Sequence, residues 1–167
     1  GLIPAVSVEL LHLFSLIHDD IMDKDDLRHN KLTLHKKWNT SVAILAGDAI
    51  LALAFKRLNS TDNTIKELFN AALIAVCEGQ ALDLEYESNE HISLEQYYEM
   101  IDLKTGYMLG LAAHIGATAG NMDAETSESL RDYGRLIGRA FQIQDDYLEI
   151  FSDSKGMGKS LKSDILL

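Results

Sequence analysis

Two short stretches of this chain carry residues that could do chemistry together. Asp19-Asp20-Ile21-Met22-Asp23 and Asp145-Asp146-Tyr147-Leu148-Glu149 each set two adjacent acids ahead of a third. On a helix the outer acids of such a run lie one turn apart with the middle one beside them, so three carboxylates share a face. Like charges this close raise one another's pKa. A divalent cation removes the conflict. Mg²⁺ is hard, prefers oxygen, and takes one or two carboxylates together with substrate phosphate oxygens. With 26 acidic residues in 167, one such triplet is close to what chance supplies, and a solvated acidic helix face is the ordinary alternative.

The basic residues favour the chemical reading. Lys24, Arg28, Lys31, Lys36 and Lys37 follow the first triplet, and Lys155, Lys159 and Lys162 follow the second. That is 8 of the 15 Lys and Arg, in a chain of net charge −11. Carboxylates that hold Mg²⁺ beside cations that hold phosphate make a diphosphate site. Ordinary salt bridging is the competing account. Other motifs fail on spacing. Gly158-Lys159-Ser160 looks like the end of a phosphate-binding loop, but Asp153 stands at the first glycine position. Asp23-Lys24-Asp25 opens like a calcium loop, but Arg28 and Leu34 occupy the positions that need Gly and Glu. His12 and His18 border the first triplet without ligand spacing and read as packed or hydrogen-bonded. No nucleophile elbow frames a serine.

The elements that must position these acids read as helices. Pro4 is the only proline, so nothing after it breaks a helix, and the expectation is an all-α bundle in a single domain over residues 1–167. Val8, Leu11, Phe14 and Ile17 recur at helical spacing and lead into Asp19. Further helices are expected over about residues 41–58, 64–87, 93–120 and 125–151, with capping boxes at Thr64/Glu67 and Ser93/Gln96. Residues 24–40 and 152–160 read as non-helical loops. The 47% hydrophobic content supports a real core, and the acidic balance makes the chain a poor general binder of nucleic acid or anionic membrane unless its few basic residues cluster. Glu9 and Asp48 cut the longest apolar stretches, so no transmembrane segment is expected. No basic region precedes an apolar run at the start, so no signal peptide is expected either. The single cysteine, Cys77, excludes an internal disulfide framework and points to a reducing, cytoplasmic setting.

His12-Leu13-Phe14-Ser15-Leu16-Ile17-His18-Asp19-Asp20-Ile21-Met22-Asp23 resembles the first aspartate-rich motif of the trans-isoprenyl diphosphate synthases, the polyprenyl synthetases. Ala43-Ile44-Leu45-Ala46-Gly47-Asp48, Glu78-Gly79-Gln80 and Lys104-Thr105 match further signatures in order. Phe141-Gln142-Ile143-Gln144-Asp145-Asp146-Tyr147-Leu148-Glu149 resembles the second aspartate-rich motif, followed by Gly158-Lys159 and Asp164-Ile165. The resemblance implies an isoprenoid-synthase-like helical bundle with the two motifs facing each other across a central cavity. It implies a Mg²⁺-dependent prenyltransferase that condenses an allylic diphosphate with isopentenyl diphosphate. About three Mg²⁺ ions would be held by Asp19, Asp20 and Asp23 on one wall and by Asp145, Asp146 and Glu149 on the other. Arg28, Lys104 and Lys159 would neutralise the allylic diphosphate, and the Thr105 hydroxyl and Gln142 carbonyl would stabilise the allylic cation. Phe14, with small Ser15 beside it, lies about one and a half turns before Asp19. The resemblance makes this pair a floor that limits the product to C15 or C20.

Two departures qualify the likeness. His29-Asn30 stands where the family has Arg-Gly, and His29, at the position that binds isopentenyl diphosphate, offers no guanidinium fork. Family members are commonly homodimers and usually longer, with an N-terminal Gly-Gly-Lys-Arg element and with helices at both ends. This chain is therefore expected to be the core of the domain. Two alternatives stand beside the synthase: a class I terpenoid enzyme that ionises the same substrate without elongating it, and a non-catalytic prenyl-diphosphate-binding subunit that regulates a partner.

Overall fold

Helix α1 runs over Leu2–Met22. Pro4 sits in its first turn, where the backbone N–H would have no partner in any case. The structure is a computed structural model that describes residues 1–89 and 91–151, apart from the side chains of 149 and 150. Beyond α1 the chain forms a two-stranded antiparallel hairpin, β1 (Leu27–Arg28) and β2 (Lys31–Leu32), then a single-turn α2 (Leu34–Lys37). Long helices follow: α3 (Thr40–Leu58) and α4 (Asn63–Tyr86). Next come α5 (Leu94–Ile101), a π turn over Asp102–Gly106, α6 (Tyr107–Ala119) and α7 (Ala124–Phe151). The bundle is all-α apart from the hairpin.

Helix α1 packs along α3, and α6 packs along α7, with α4 against α6 and the π turn. The α4 stripe Ile65, Phe69, Ala72 and Val76 faces Leu11 and Phe14 of α1, Ala54 and Leu58 of α3, and Met108, Leu111 and Ile115 of α6. These spacings of three and four residues are what a helix needs to bury one face. Close approach of α6 and α7 rests on glycines. A Cβ on Gly134 would fall 2.6 Å from Leu109 O, and one on Gly138 would fall 2.7 Å from Gly106 Cα.

The fourth helix runs without a break over residues 94–119, as expected, with a π turn over Asp102–Gly106 inside it. Three other sequence expectations change here. Residues 24–40 are not featureless: they hold the hairpin and α2. The hairpin turn is His29-Asn30, both with positive φ (51° and 62°), as a two-residue type I′ turn requires. Thr64/Glu67 is not a capping box, since α4 starts one residue earlier with Asp62 at its N-cap. Ser93 and Gln96 do form one, each side chain bonding the other's backbone N–H. Finally, α1 with its 21 residues is long and apolar enough to cross a membrane by length and composition alone, despite Glu9. In this fold it lies instead against α3 and α6, with Leu11, Phe14 and Ile17 inward. The proposed loop 152–160 lies outside the described residues.

Candidate active site

The first acidic cluster closes the C-terminal end of α1, Asp23 keeping a helical backbone one turn beyond Asp19. Helix α1 ends at Met22, and Asp23 takes the C-cap position, its amide donating to Asp19 O at 2.9 Å. The chain then doubles back through the hairpin, which returns Arg28 to the end of α1. Arg28 Nε donates to Asp20 Oδ1 at 2.6 Å and Nη2 to Asp19 Oδ2 at 3.0 Å. Asp20 is 6% exposed. Burial pushes its carboxyl above the usual range, with Asp19 and Asp25 adding to the rise and Arg28 opposing it. For Arg28 the order reverses: burial disfavours its charge, but Asp20, Asp19 and Asp25 outweigh that and raise its pKa.

Lys104, in the middle of the π turn, reaches the same acids from the other side. Its Nζ lies 2.5 Å from Asp83 Oδ2 and 3.3 Å from Asp19 Oδ1. Burial alone would lower the pKa of this ammonium, but Asp19, Asp83 and Asp23 more than offset it and hold the group charged. Gln80 Nε2 donates to Asp23 Oδ1 at 3.4 Å. Gly79 permits the approach: a Cβ there would fall 2.2 Å from the Lys104 amide nitrogen.

The second cluster lies on α7. Gln142 Nε2 donates to Asp146 Oδ1 at 2.9 Å, and the Tyr97 hydroxyl of α5 donates to Asp146 Oδ2. Burial and then that bond raise the Tyr97 pKa far above its ordinary value, so the phenol stays a donor. Thr105 Oγ1 donates to Gln142 Oε1 at 2.7 Å. The two side chains expected to steady a cation therefore bond to each other, which occupies the hydroxyl proton and leaves oxygen lone pairs. Asp145 is half-buried on the same helix. Glu149 falls within α7; its side chain and all of Lys159 lie outside what the structure describes.

Lys104 and Thr105 are neighbours, so the π turn joins the two clusters. One of its residues holds Asp19 and the next holds Gln142, which in turn holds Asp146. The donor set suits Mg²⁺ in chemistry, being hard carboxylate oxygen throughout. Around the end of α1, Asp19, Asp20, Asp23 and Asp83 outnumber Arg28 and Lys104. Among the described residues no three acidic, His or Cys side chains converge on one metal-sized point. A cation held by Asp19 would therefore take its remaining ligands from water or phosphate oxygen, as Mg²⁺ commonly does.

Phe14 is 9% exposed and belongs to the main core, its ring 4.5 Å from that of His18. Ser15 Oγ donates to His12 O at 2.8 Å. His29 is exposed in the hairpin turn. Asp83 and Tyr97 escaped sequence reasoning, and Gln80 entered it only as part of the Glu78-Gly79-Gln80 signature. Asp83 had a visible signal: it continues the buried α4 stripe that runs through Phe69, Ala72, Val76 and Gly79, and a carboxylate on such a stripe calls for a partner.

The helical bundle is an isoprenoid synthase fold, as solved structures show. Over 92% of this chain and 49% of the other, it superposes on a geranylgeranyl pyrophosphate synthetase from Pyrococcus horikoshii with TM-score 0.86 and 40% identity. The chain belongs to the polyprenyl synthetase family, whose model matches residues 2–167. A short chain isoprenyl diphosphate synthase from Methanothermobacter thermautotrophicus is 42% identical over 96% of the chain. A geranyltransferase from Helicobacter pylori, solved with magnesium and isoprenyl diphosphate, matches with TM-score 0.84 and 33% identity over 95% of this chain and 56% of that one. The chain spans about half the length of the curated relatives it matches, 51% in the first case.

Proposed function

We propose that this chain forms the catalytic core of a short-chain isoprenyl diphosphate synthase, joining an allylic diphosphate to isopentenyl diphosphate. The observation that carries the reading is the polar ring through the π turn, Asp19–Lys104 and Thr105–Gln142–Asp146, which links the two acid clusters. Asp19, Asp20 and Asp23, with Asp145, Asp146 and Glu149, would hold about three Mg²⁺ ions. When bound, Mg²⁺ supplies positive charge beside the diphosphate. Arg28, Lys104 and Lys159 carry the rest of that neutralisation. Arg28 and Lys104 are already charged and ordered by their acids, so they meet the departing diphosphate without reorganising. The Thr105 and Gln142 oxygens direct their dipoles toward the site where allylic positive charge develops. Once the allylic C1–O bond has broken and its electron pair has left with the diphosphate, the isopentenyl double bond attacks that C1, and loss of a proton from the isopentenyl unit to the diphosphate restores the alkene. No covalent link to the protein is needed, in keeping with a sequence that frames no serine in a nucleophile elbow.

A homodimer acting in the cytoplasm completes this reading. One observation favours a second: His29 presents an exposed imidazole in a turn, where it offers no bidentate hold on isopentenyl diphosphate. Under that reading the chain binds an allylic diphosphate without extending it. Incubation with labelled isopentenyl diphosphate, Mg²⁺ and geranyl or farnesyl diphosphate separates the two. A C15 or C20 product supports the synthase. Mg²⁺-dependent binding without incorporation supports the binding subunit, and neither result overturns both.

Product length gives a second test. Phe14→Ala removes the proposed floor, so products should lengthen beyond those of the unaltered chain when sized by chromatography. The ring is also core, and its loss should cost about 3 kcal/mol of stability. A lowered Tm with unchanged product length would leave Phe14 a packing residue only.

A further inference from the structure

One arginine of α7 grips the π turn at both ends. Asp102 opens the turn, and its carboxylate accepts from Arg135 Nε at 3.2 Å and from Arg135 Nη2, with Arg139 Nε 3.6 Å away. The Arg135 guanidinium also lies over the ring of Tyr107, 4.0 Å from its centroid. Tyr107 is the first residue past the turn. The glycines of this crossing make room for the grip: a Cβ on Gly106 would fall 2.5 Å from Asp102 Oδ1. The pair is largely shielded, with side-chain exposures of 28% for Arg135 and 14% for Asp102.

The turn needs holding. A π turn is rarer than the α turn it replaces, and the α form differs by one residue in the hydrogen-bonded ring. One residue of register is about 100° of rotation around a helix. In the π form Lys104 faces Asp19 and Asp83 while Thr105 faces Gln142. Relaxation to the α form would turn one of them away. Arg135 and Gln142 lie two turns apart on α7, so the same helix face that receives Thr105 also fixes both ends of the turn.

We propose that Arg135, through Asp102 and Tyr107, is a positioning residue that keeps residues 102–106 in π register and thereby aims Lys104 and Thr105. Its link to catalysis rests on the function proposed above, but the register itself can be read without any activity.

The test is amide hydrogen exchange on the full chain, comparing Arg135→Lys and Asp102→Asn with the unaltered protein. Arg135→Lys keeps the charge but loses the fork and the planar stack. Exchange over residues 103–107 should quicken at least about tenfold in both variants, while α1 and the first half of α4 stay as they were. Unchanged exchange over 103–107 overturns the proposal. Tyr107→Leu removes the stack and the phenol while leaving the Asp102 fork, and it carries the same expectation if the arginine change prevents folding. A second readout is affinity for geranyl diphosphate with Mg²⁺. Arg135→Lys should weaken it about tenfold, and less than about twofold further when Lys104→Met is already present. Equal losses in both backgrounds would mean that Arg135 does not act through Lys104, and that also overturns the proposal. If the unaltered chain binds no geranyl diphosphate, the proposed function fails, while the exchange measurement still decides the clamp.

Discussion

Asp19→Asn should reduce Mg²⁺-dependent condensation about a thousandfold while leaving the fold in place. Asp19 is the acid on which two cations converge: Arg28 Nη2 at 3.0 Å from one oxygen and Lys104 Nζ at 3.3 Å from the other. The amide keeps the shape and can still accept from Arg28, but it carries no charge and is a poor ligand for a hard cation. Loss of a single preorganised electrostatic group at a reacting centre costs about 10²–10³ in rate, and here a metal ligand and an anchor for Lys104 go together. The fold survives because neither cation is stranded. Arg28 keeps Asp20 at 2.6 Å, and Lys104 keeps Asp83 at 2.5 Å. Had one side chain been the sole partner of a buried charge, its removal would cost about 3–5 kcal/mol.

The control is Asp26→Asn. That carboxylate is exposed, 2.6 Å from Lys36 Nζ, and its pKa is lowered by that bond. Exposed pairs contribute little, so the rate should stay within about twofold of the unaltered protein. The two substitutions remove the same formal charge from the same end of the molecule. If they reduced the rate equally, the effect of Asp19 would be one of net charge, and the site assignment would fall.

What the sequence made legible was what periodicity and local spacing encode. The inward faces of α1 and α4 follow from apolar residues three and four apart, and the Ser93/Gln96 box follows from two residue types at a fixed offset. The acid clusters were legible as residue types and spacing, but not in what holds them. Asp23 keeps a helical backbone at the C-cap of α1, and what the spacing did not carry is the hairpin that turns Arg28 back onto Asp19 and Asp20. Nothing local announces that return. His29 and Asn30 adopt positive φ without a glycine, so the usual marker of a tight turn is absent. The π turn was equally hidden, because its extra residue is offset by contacts from α7, some thirty positions later in the chain, rather than by anything within Asp102–Gly106. Tyr97 and Asp146 meet for the same reason: only the packing of α5 on α7 brings them together.

Gly79→Ala should lower both stability and rate, although it adds one methyl group to a helix. A Cβ at this position would lie 2.2 Å from Lys104 N, 2.6 Å from Lys104 Cα and 2.7 Å from Leu103 C. All three are backbone atoms, so no side chain can swing aside, and α4 must draw away from the π turn as a body. Ala is the better helix former by about 1 kcal/mol, which works in favour of the variant. Overpacking a closed contact costs about 1–3 kcal/mol, and a clash with backbone on both sides belongs at the upper end, so the net should be destabilising by about 1–2 kcal/mol. The displacement also carries Asp83 away from Lys104, since both Gly79 and Asp83 lie on α4. A shift of about 1 Å in a positioned catalytic group can cost about a hundredfold in rate. Thermal unfolding and turnover measured on the same preparation read the two effects together. Asp83→Asn separates them, because it loosens Lys104 without moving α4 and should lower the rate with a smaller fall in Tm. A Gly79→Ala variant with unaltered Tm and rate would mean that α4 and the π turn are not in the contact described, and the placement of Lys104 between Asp19 and Asp83 would have to be abandoned.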